Sequence, residues 1–139
     1  MKTIIYLFIV ILTVNTTNIT HASWYGDKFH GKVTANGETY NQYDLTTASP
    51  SLPFNTIIKI TNIDNNKSVI VRVNDRGPYQ MYKNGKVVRP LKPHPKRKFD
   101  LSRKAFSKIA NINKGIIKIK YEILKPNVKH KGGKRVGNN

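Results

Sequence analysis

The chain has 139 residues, no cysteine, and 25 Lys plus Arg against 7 Asp plus Glu, for a formal net charge of +18. That length suits one domain, and the missing cysteine excludes a disulfide framework, a thiolate metal site and a thiol nucleophile. Three classes stay open: a nucleic-acid binder, a binder of anionic surfaces, and an exported wall protein. The charge is uneven. Residues 1–82 hold 7 basic and 5 acidic side chains, and residues 83–139 hold 18 and 2. Such asymmetry points to an anionic partner along one face. Compositional drift in a chain rich in Lys, Asn and Ile explains it equally well.

In chain order, Met1 and Lys2 precede an unbroken apolar run, Ile4 to Leu12. Polar residues follow to His21-Ala22. This is the pattern of a secretory signal peptide, and the run is shorter than the ~20 apolar residues of a membrane span. The expected leader is 1–22, with cleavage after Ala22 and no stable membrane anchor afterwards. Export to the periplasm or extracellular envelope makes nucleic acid an unexpected partner. Wall glycan, anionic envelope polymers such as teichoic polymers, and anionic lipid head groups take its place.

From Ser23 the chain reads as a small β domain, residues 23–124. Thr56 to Ile63 is β-branched and partly alternating, Asp64-Asn65-Asn66 is a turn signal, and Ser68 to Val73 alternates again. These form a hairpin ending at Asn74-Asp75-Arg76-Gly77-Pro78. Residues 79–99 carry Pro90, Pro93 and Pro95 among many cations, which predicts a long exposed basic loop. Ser102 is the N-cap of a helix whose core side is Ala105, Phe106, Ile109 and Ala110. Ile117, Ile119, Tyr121 and Ile123 alternate with Lys118, Lys120 and Glu122 in a last strand. Residues 125–139 read as a disordered basic tail.

Asp75 and Glu38 are the candidate acids. A carboxylate at the end of an apolar strand suits general acid work. From spacing alone, a structural Asp accepting backbone N–H bonds in the turn is the better reading. Glu38 follows Asn36-Gly37, where an exposed hairpin tip is the plain alternative. Trp24 and Tyr25 offer aromatic faces for sugar rings, although core packing is the commoner fate. His30 and the other histidines make no metal cluster, and no cofactor is expected.

Several ordered tracts resemble one family. Ala22-Ser23-Trp24-Tyr25-Gly26, Phe29-His30-Gly31-Lys32 and Thr34-Ala35-Asn36-Gly37-Glu38 are similar to the opening of the rare lipoprotein A (RlpA) family. Leu52-Pro53-Phe54 with Thr56 looks like its Leu-Pro-Phe-Gly-Thr segment, with Asn55 in place of Gly. Val71-Arg72-Val73-Asn74-Asp75-Arg76-Gly77-Pro78-Tyr79 resembles its most specific motif, and Asp100-Leu101-Ser102 with Ala105 its helix entry.

The resemblance implies a mainly β fold: a six-stranded double-psi β-barrel with a short helix. It also implies a lytic transglycosylase, a lyase that cuts peptidoglycan between N-acetylmuramic acid and N-acetylglucosamine. Its products end in 1,6-anhydro rings, and its setting is wall organisation and daughter-cell separation. The family's catalytic Asp matches Asp75 and its active-site Glu matches Glu38, which reverses the spacing-based reading of Asp75. Trp24, Tyr25, Ser49 and Arg76 are the expected substrate-binding residues in a monomer. Ser49 stands where the family often has His, the lipid-bearing Cys is absent, and no glycan-binding repeat domain follows. The basic stretch 79–99 exceeds the family's usual connection. The alternative is a non-catalytic, expansin-like peptidoglycan-binding protein.

Overall fold

The structure, a computed structural model, describes residues 18–126. Its strands are β1 (Asn18–Trp24), β2 (Thr46–Ala48), β3 (Ile57–Asn62), β4 (Ser68–Asp75), β5 (Tyr79–Lys83), β6 (Lys86–Pro93), β7 (Arg97–Leu101) and β8 (Ile116–Lys125). One helix, α1 (Arg103–Ile109), and two 3-10 turns, Asp27–Phe29 and Ile112–Lys114, complete the elements.

Alternation in β3 and β4 gives the barrel its inside. Ile58 and Ile60 are buried while Lys59 points out. In β4, Val69, Val71 and Val73 are buried, and Ile70 between them is exposed. The register Ile58↔Val71 and Ile60↔Val69 sets these side chains opposite each other, where β-branched pairs pack well. Asn66, with φ of 60°, takes the left-handed position in the connecting turn. β8 repeats the pattern, with Ile117 and Ile119 inside and Lys118 and Lys120 outside. Full burial of each such side chain stabilises the fold by about 1.5–3 kcal/mol relative to exposure.

Six strands close in the order β1-β7-β2-β4-β3-β8. β1–β7 and β2–β4 are parallel, and the other four pairings are antiparallel. Closure removes every strand edge from this sheet. This mixed barrel is the double-psi β-barrel implied by the sequence. α1 adds Ala105, Phe106 and Ile109 to the core, and Phe99, Leu101 and Ala22 come from β7 and β1. Its N-cap is Ser102, whose hydroxyl accepts from the Ala105 N–H as expected.

Two expectations change. Residues 79–99 are not one long loop. β5 and β6 form a separate two-stranded sheet, and β7 then joins the barrel. The prolines fit because Pro90 and Pro93 sit in a ribbon outside the barrel, where a missing N–H is tolerated. Asp100 and Leu101 likewise end β7 and stand just ahead of the helix. The other change concerns the boundary at residue 22. β1 begins at Asn18, and Asn18 to Ser23 pair antiparallel with β8. Ala22 is fully buried. The barrel therefore uses five residues of the expected leader. The rest of that leader, 1–17, and the tail from 127 lie outside the described residues.

A bulge positions the site. Thr47 pairs with Val73 but Ala48 pairs with Asp75, so Asn74 is skipped in the β2–β4 ladder. Such an extra residue re-aims the side chains around it. Here it delivers Asn74 and Asp75, neighbours in sequence, to two adjacent carboxylate clusters.

Candidate active site

Asp75 stands at the end of β4 and its carboxylate receives three hydrogen bonds. The Tyr25 hydroxyl donates to Oδ2 at 2.6 Å. The backbone N–H groups of Ala35 and Arg76 both donate to Oδ1 at 2.8 Å. The carboxylate is thus fixed by β1's exit, by the turn at 34–38 and by its own neighbour. Burial of the Tyr25 phenol, and then Asp75 beside it, push the phenol far above its ordinary value. Tyr25 therefore keeps its proton and stays a donor. Its ring packs on Tyr40 at 4.5 Å and meets the edge of Phe29 at 5.8 Å.

Glu38 sits on the same 34–38 turn, which Gly37 closes with φ of 91°. Its Oε1 accepts from Arg72 Nη1 at 2.7 Å and Asn36 Nδ2 at 2.9 Å. Its Oε2 accepts from Arg72 Nη2 at 2.9 Å and Asn74 Nδ2 at 3.1 Å. The forked Arg72 contact is the strong bidentate form. Chiefly through Arg72, and against some desolvation, the Glu38 carboxyl is held down at about 2. Glu38 is a fixed negative charge, unsuited to exchanging protons near neutral pH. Asn55, at φ of 67°, accepts through its side-chain oxygen from Arg72 Nη1 at 3.1 Å. The Asn55 oxygen is a second hold on the arginine.

The other expected residues take varied positions. Arg76 does not turn to Asp75. Its guanidinium lies 3.9 Å over the Phe54 ring, and Nη1 donates to the Leu52 carbonyl at 2.9 Å. Ser49 is 2 % exposed, and its hydroxyl accepts from the Leu52 N–H at 3.1 Å. Its own N–H donates to the Asp75 carbonyl at 3.1 Å. Ser49 thus supports the backbone behind Asp75. Trp24 finds its partners elsewhere: its indole N–H donates to the Ile112 carbonyl at 3.1 Å, and Arg103 lies over the ring. It is partly buried and packs against the core.

Sequence reasoning missed Arg72, Asn36 and Asn74 as partners of Glu38, and Phe29 as an exposed ring beside Tyr25. Arg72 alone carried a signal, as a cation inside an otherwise apolar strand. Among the described residues no group of His, Asp and Glu could hold a metal ion.

Residues 17–121 match the family described as lytic transglycolase, a double-psi β-barrel family. The chain belongs to this family. As a lytic transglycolase barrel it is 45% identical over 114 residues to the endolytic peptidoglycan transglycosylase RlpA of Campylobacter jejuni. That match covers 82% of this chain and 36% of the relative. The protein of the same name from Pseudomonas aeruginosa is 45% identical over 105 residues, 76% of this chain and 27% of the relative. The chain thus spans about a third of these relatives. Among solved structures, an expansin of Clavibacter michiganensis superposes with a TM-score of 0.54 at 19% identity, covering 78% of this chain and 50% of that one. The Streptomyces papain inhibitor gives 0.51 at 18% identity, covering 78% of this chain and 96% of that one. These two share the fold of the lytic transglycolase barrel.

Proposed function

We propose that the protein is a lytic transglycosylase that cleaves peptidoglycan glycan strands at the cell envelope, with Asp75 as the acid and base. The observation that carries this reading is the Asp75 carboxyl itself, fixed by Tyr25, Ala35 and Arg76 at the end of β4. Family membership and relatives named for this activity support it.

The chemistry follows from one carboxyl used twice. Asp75 gives its proton to the oxygen linking muramic acid C1 to the next sugar, and the C1–O bond breaks. Positive charge spreads over C1 and the ring oxygen, as in other glycosidic cleavages. The muramic 6-hydroxyl oxygen bonds to C1, and its proton returns to the Asp75 carboxylate. No water is consumed, and the product ends in a 1,6-anhydro ring. While the carboxylate is bare, two peptide N–H groups and the Tyr25 hydroxyl face its charge without having to reorganise. Glu38, locked to Arg72, assists by fixing the 34–38 turn from which the Ala35 N–H reaches Asp75. Phe29, 40% exposed beside Tyr25, is a ring on which a sugar face can stack. Wall remodelling at cell separation is the setting this activity serves.

Glu38's fixed charge and Ser49's burial leave Asp75 as the sole proton carrier in this mechanism, which also keeps the expansin-like binder as the competing reading. Mass spectrometry of fragments released from sacculi separates the two. Wild type is expected to release anhydro-ended fragments. Asp75→Asn is expected to lose at least about a hundredfold of that rate, the usual size of a general acid–base contribution. Sacculus binding without anhydro products from wild type would establish the binder instead.

A further inference from the structure

The β5–β6 ribbon lies outside the barrel and outside the mechanism above. Its turn is Asn84-Gly85, with φ of 51° and 73°. Two successive left-handed residues make the tight turn whose twist matches a hairpin. The ribbon is rooted close to the site: Tyr79 follows Asp75 by four residues, and the His94 N–H donates to the Pro78 carbonyl at 3.0 Å across its base. Residues 81–87 are all exposed.

Its surface has two components. Between Asp75 and Asp100 the sequence holds no acidic residue. Lys83, Lys86, Arg89 and Lys92 project from the ribbon, and among the described residues none of them has an ion pair or a side-chain hydrogen bond. Lys83 and Lys86 face each other directly across the turn. Like charges in that position oppose pairing unless an anion lies against them. The second component is apolar. Met81, Tyr82, Val87 and Leu91 are 60%, 64%, 57% and 45% exposed. Tyr82 and Val87 are a directly opposed pair that no barrel strand covers. A soluble polyanion would satisfy the lysines and leave this apolar pair in water. The interface of an anionic bilayer takes both, with head groups for the cations and the acyl boundary for the apolar tip.

We infer that the β5–β6 ribbon is a docking element for an anionic lipid bilayer. Its two ends pair at Tyr79 and Pro93, and Tyr79 stands four residues along the chain from Asp75, so docking would bring the end of β4 toward a membrane surface. The binding chemistry uses no atom of Asp75 or Glu38, so this inference and the proposed activity fail independently.

The test is cosedimentation of the full chain with vesicles of phosphatidylcholine alone and with ~30% phosphatidylglycerol. Wild type is expected to bind the anionic vesicles, to release them as salt rises, and to ignore the neutral ones. Lys83→Ser with Lys86→Ser is expected to lower the partition coefficient by about tenfold or more. Tyr82→Ser with Val87→Ser is expected to lower it severalfold, with the charge intact. Each variant is checked for native melting, and its fragment release from glycan is expected to stay at the wild-type rate. Full binding by both variants would overturn the inference, because another basic segment would then be the contact. Equal binding to neutral and anionic vesicles would overturn it as well. So would a wild type that binds polyphosphate but no vesicle, since the partner would then be a soluble polymer.

Discussion

Glu38 lies on the 34–38 turn and Asp75 is bonded to that turn from the end of β4, but the two are held by different donors. Glu38 meets a guanidinium and two amides, whereas Asp75 meets a phenol and two peptide N–H groups. The Arg72 pairing depresses the Glu38 carboxyl from 4.5 to about 2. A depressed folded-state value means that Glu38 favours folding above about 4.5, and that this contribution disappears as pH falls through about 2. The pair is partly exposed, so solvent screens it and the effect is modest. Thermal melts at pH 5 and pH 2.5 are expected to show a smaller acid-induced drop for Glu38→Gln than for wild type. Equal drops would refute the pairing. Both acids were visible in the sequence because each sits in a tract of turn residues. The Arg72 contact was not, because it depends on the register of β4 against the 34–38 turn, and a linear chain does not display register.

Elements built from local contacts were legible, and those built from distant ones were not. β3, β4 and β8 alternate cleanly, and α1 has its cap, so their positions follow from residues a few places apart. The β5–β6 ribbon also had a local signal in Asn84-Gly85, overshadowed by the nearby prolines. β1 had none, because its inward positions hold small or polar residues and Ile19 points outward at 57% exposure. It is a strand only because β7 and β8 flank it. Its pairing gives a firm expectation about the N-terminus. A chain beginning at Ser23 lacks the buried Ala22 and most of the β1–β8 ladder, leaving β8 with an open edge. Several kcal/mol of lost packing in so small a domain corresponds to a midpoint lower by on the order of 10 °C or more. Calorimetry of chains starting at Asn18 and at Ser23 checks this. Equal midpoints would mean that the first half of β1 is dispensable.

At the scale of the whole molecule, the barrel and the β5–β6 ribbon are separate sheets. Barrel closure comes from pairings between strands far apart in sequence, which is why only the family resemblance anticipated it. The charge asymmetry was plain in the sequence, but not that four of its cations, Lys83, Lys86, Arg89 and Lys92, stand on an ordered ribbon. Tyr79 and Pro93 pair at the ribbon's base, so the chain can be rejoined there without stretching the barrel. Replacing residues 80–92 by an Asn-Gly turn is therefore expected to leave β4 and β7 in place. None of the hydrogen bonds to Asp75 or Glu38 comes from those residues. The shortened chain is expected to melt within about 4 °C of wild type, the equivalent of ~1 kcal/mol in a domain of this size. Its anhydro-fragment release from soluble glycan is expected to stay within about twofold, and its affinity for anionic vesicles to vanish. A large loss of activity on soluble glycan would place the ribbon in the substrate cleft. A large fall in melting temperature would make it part of the barrel's own stability.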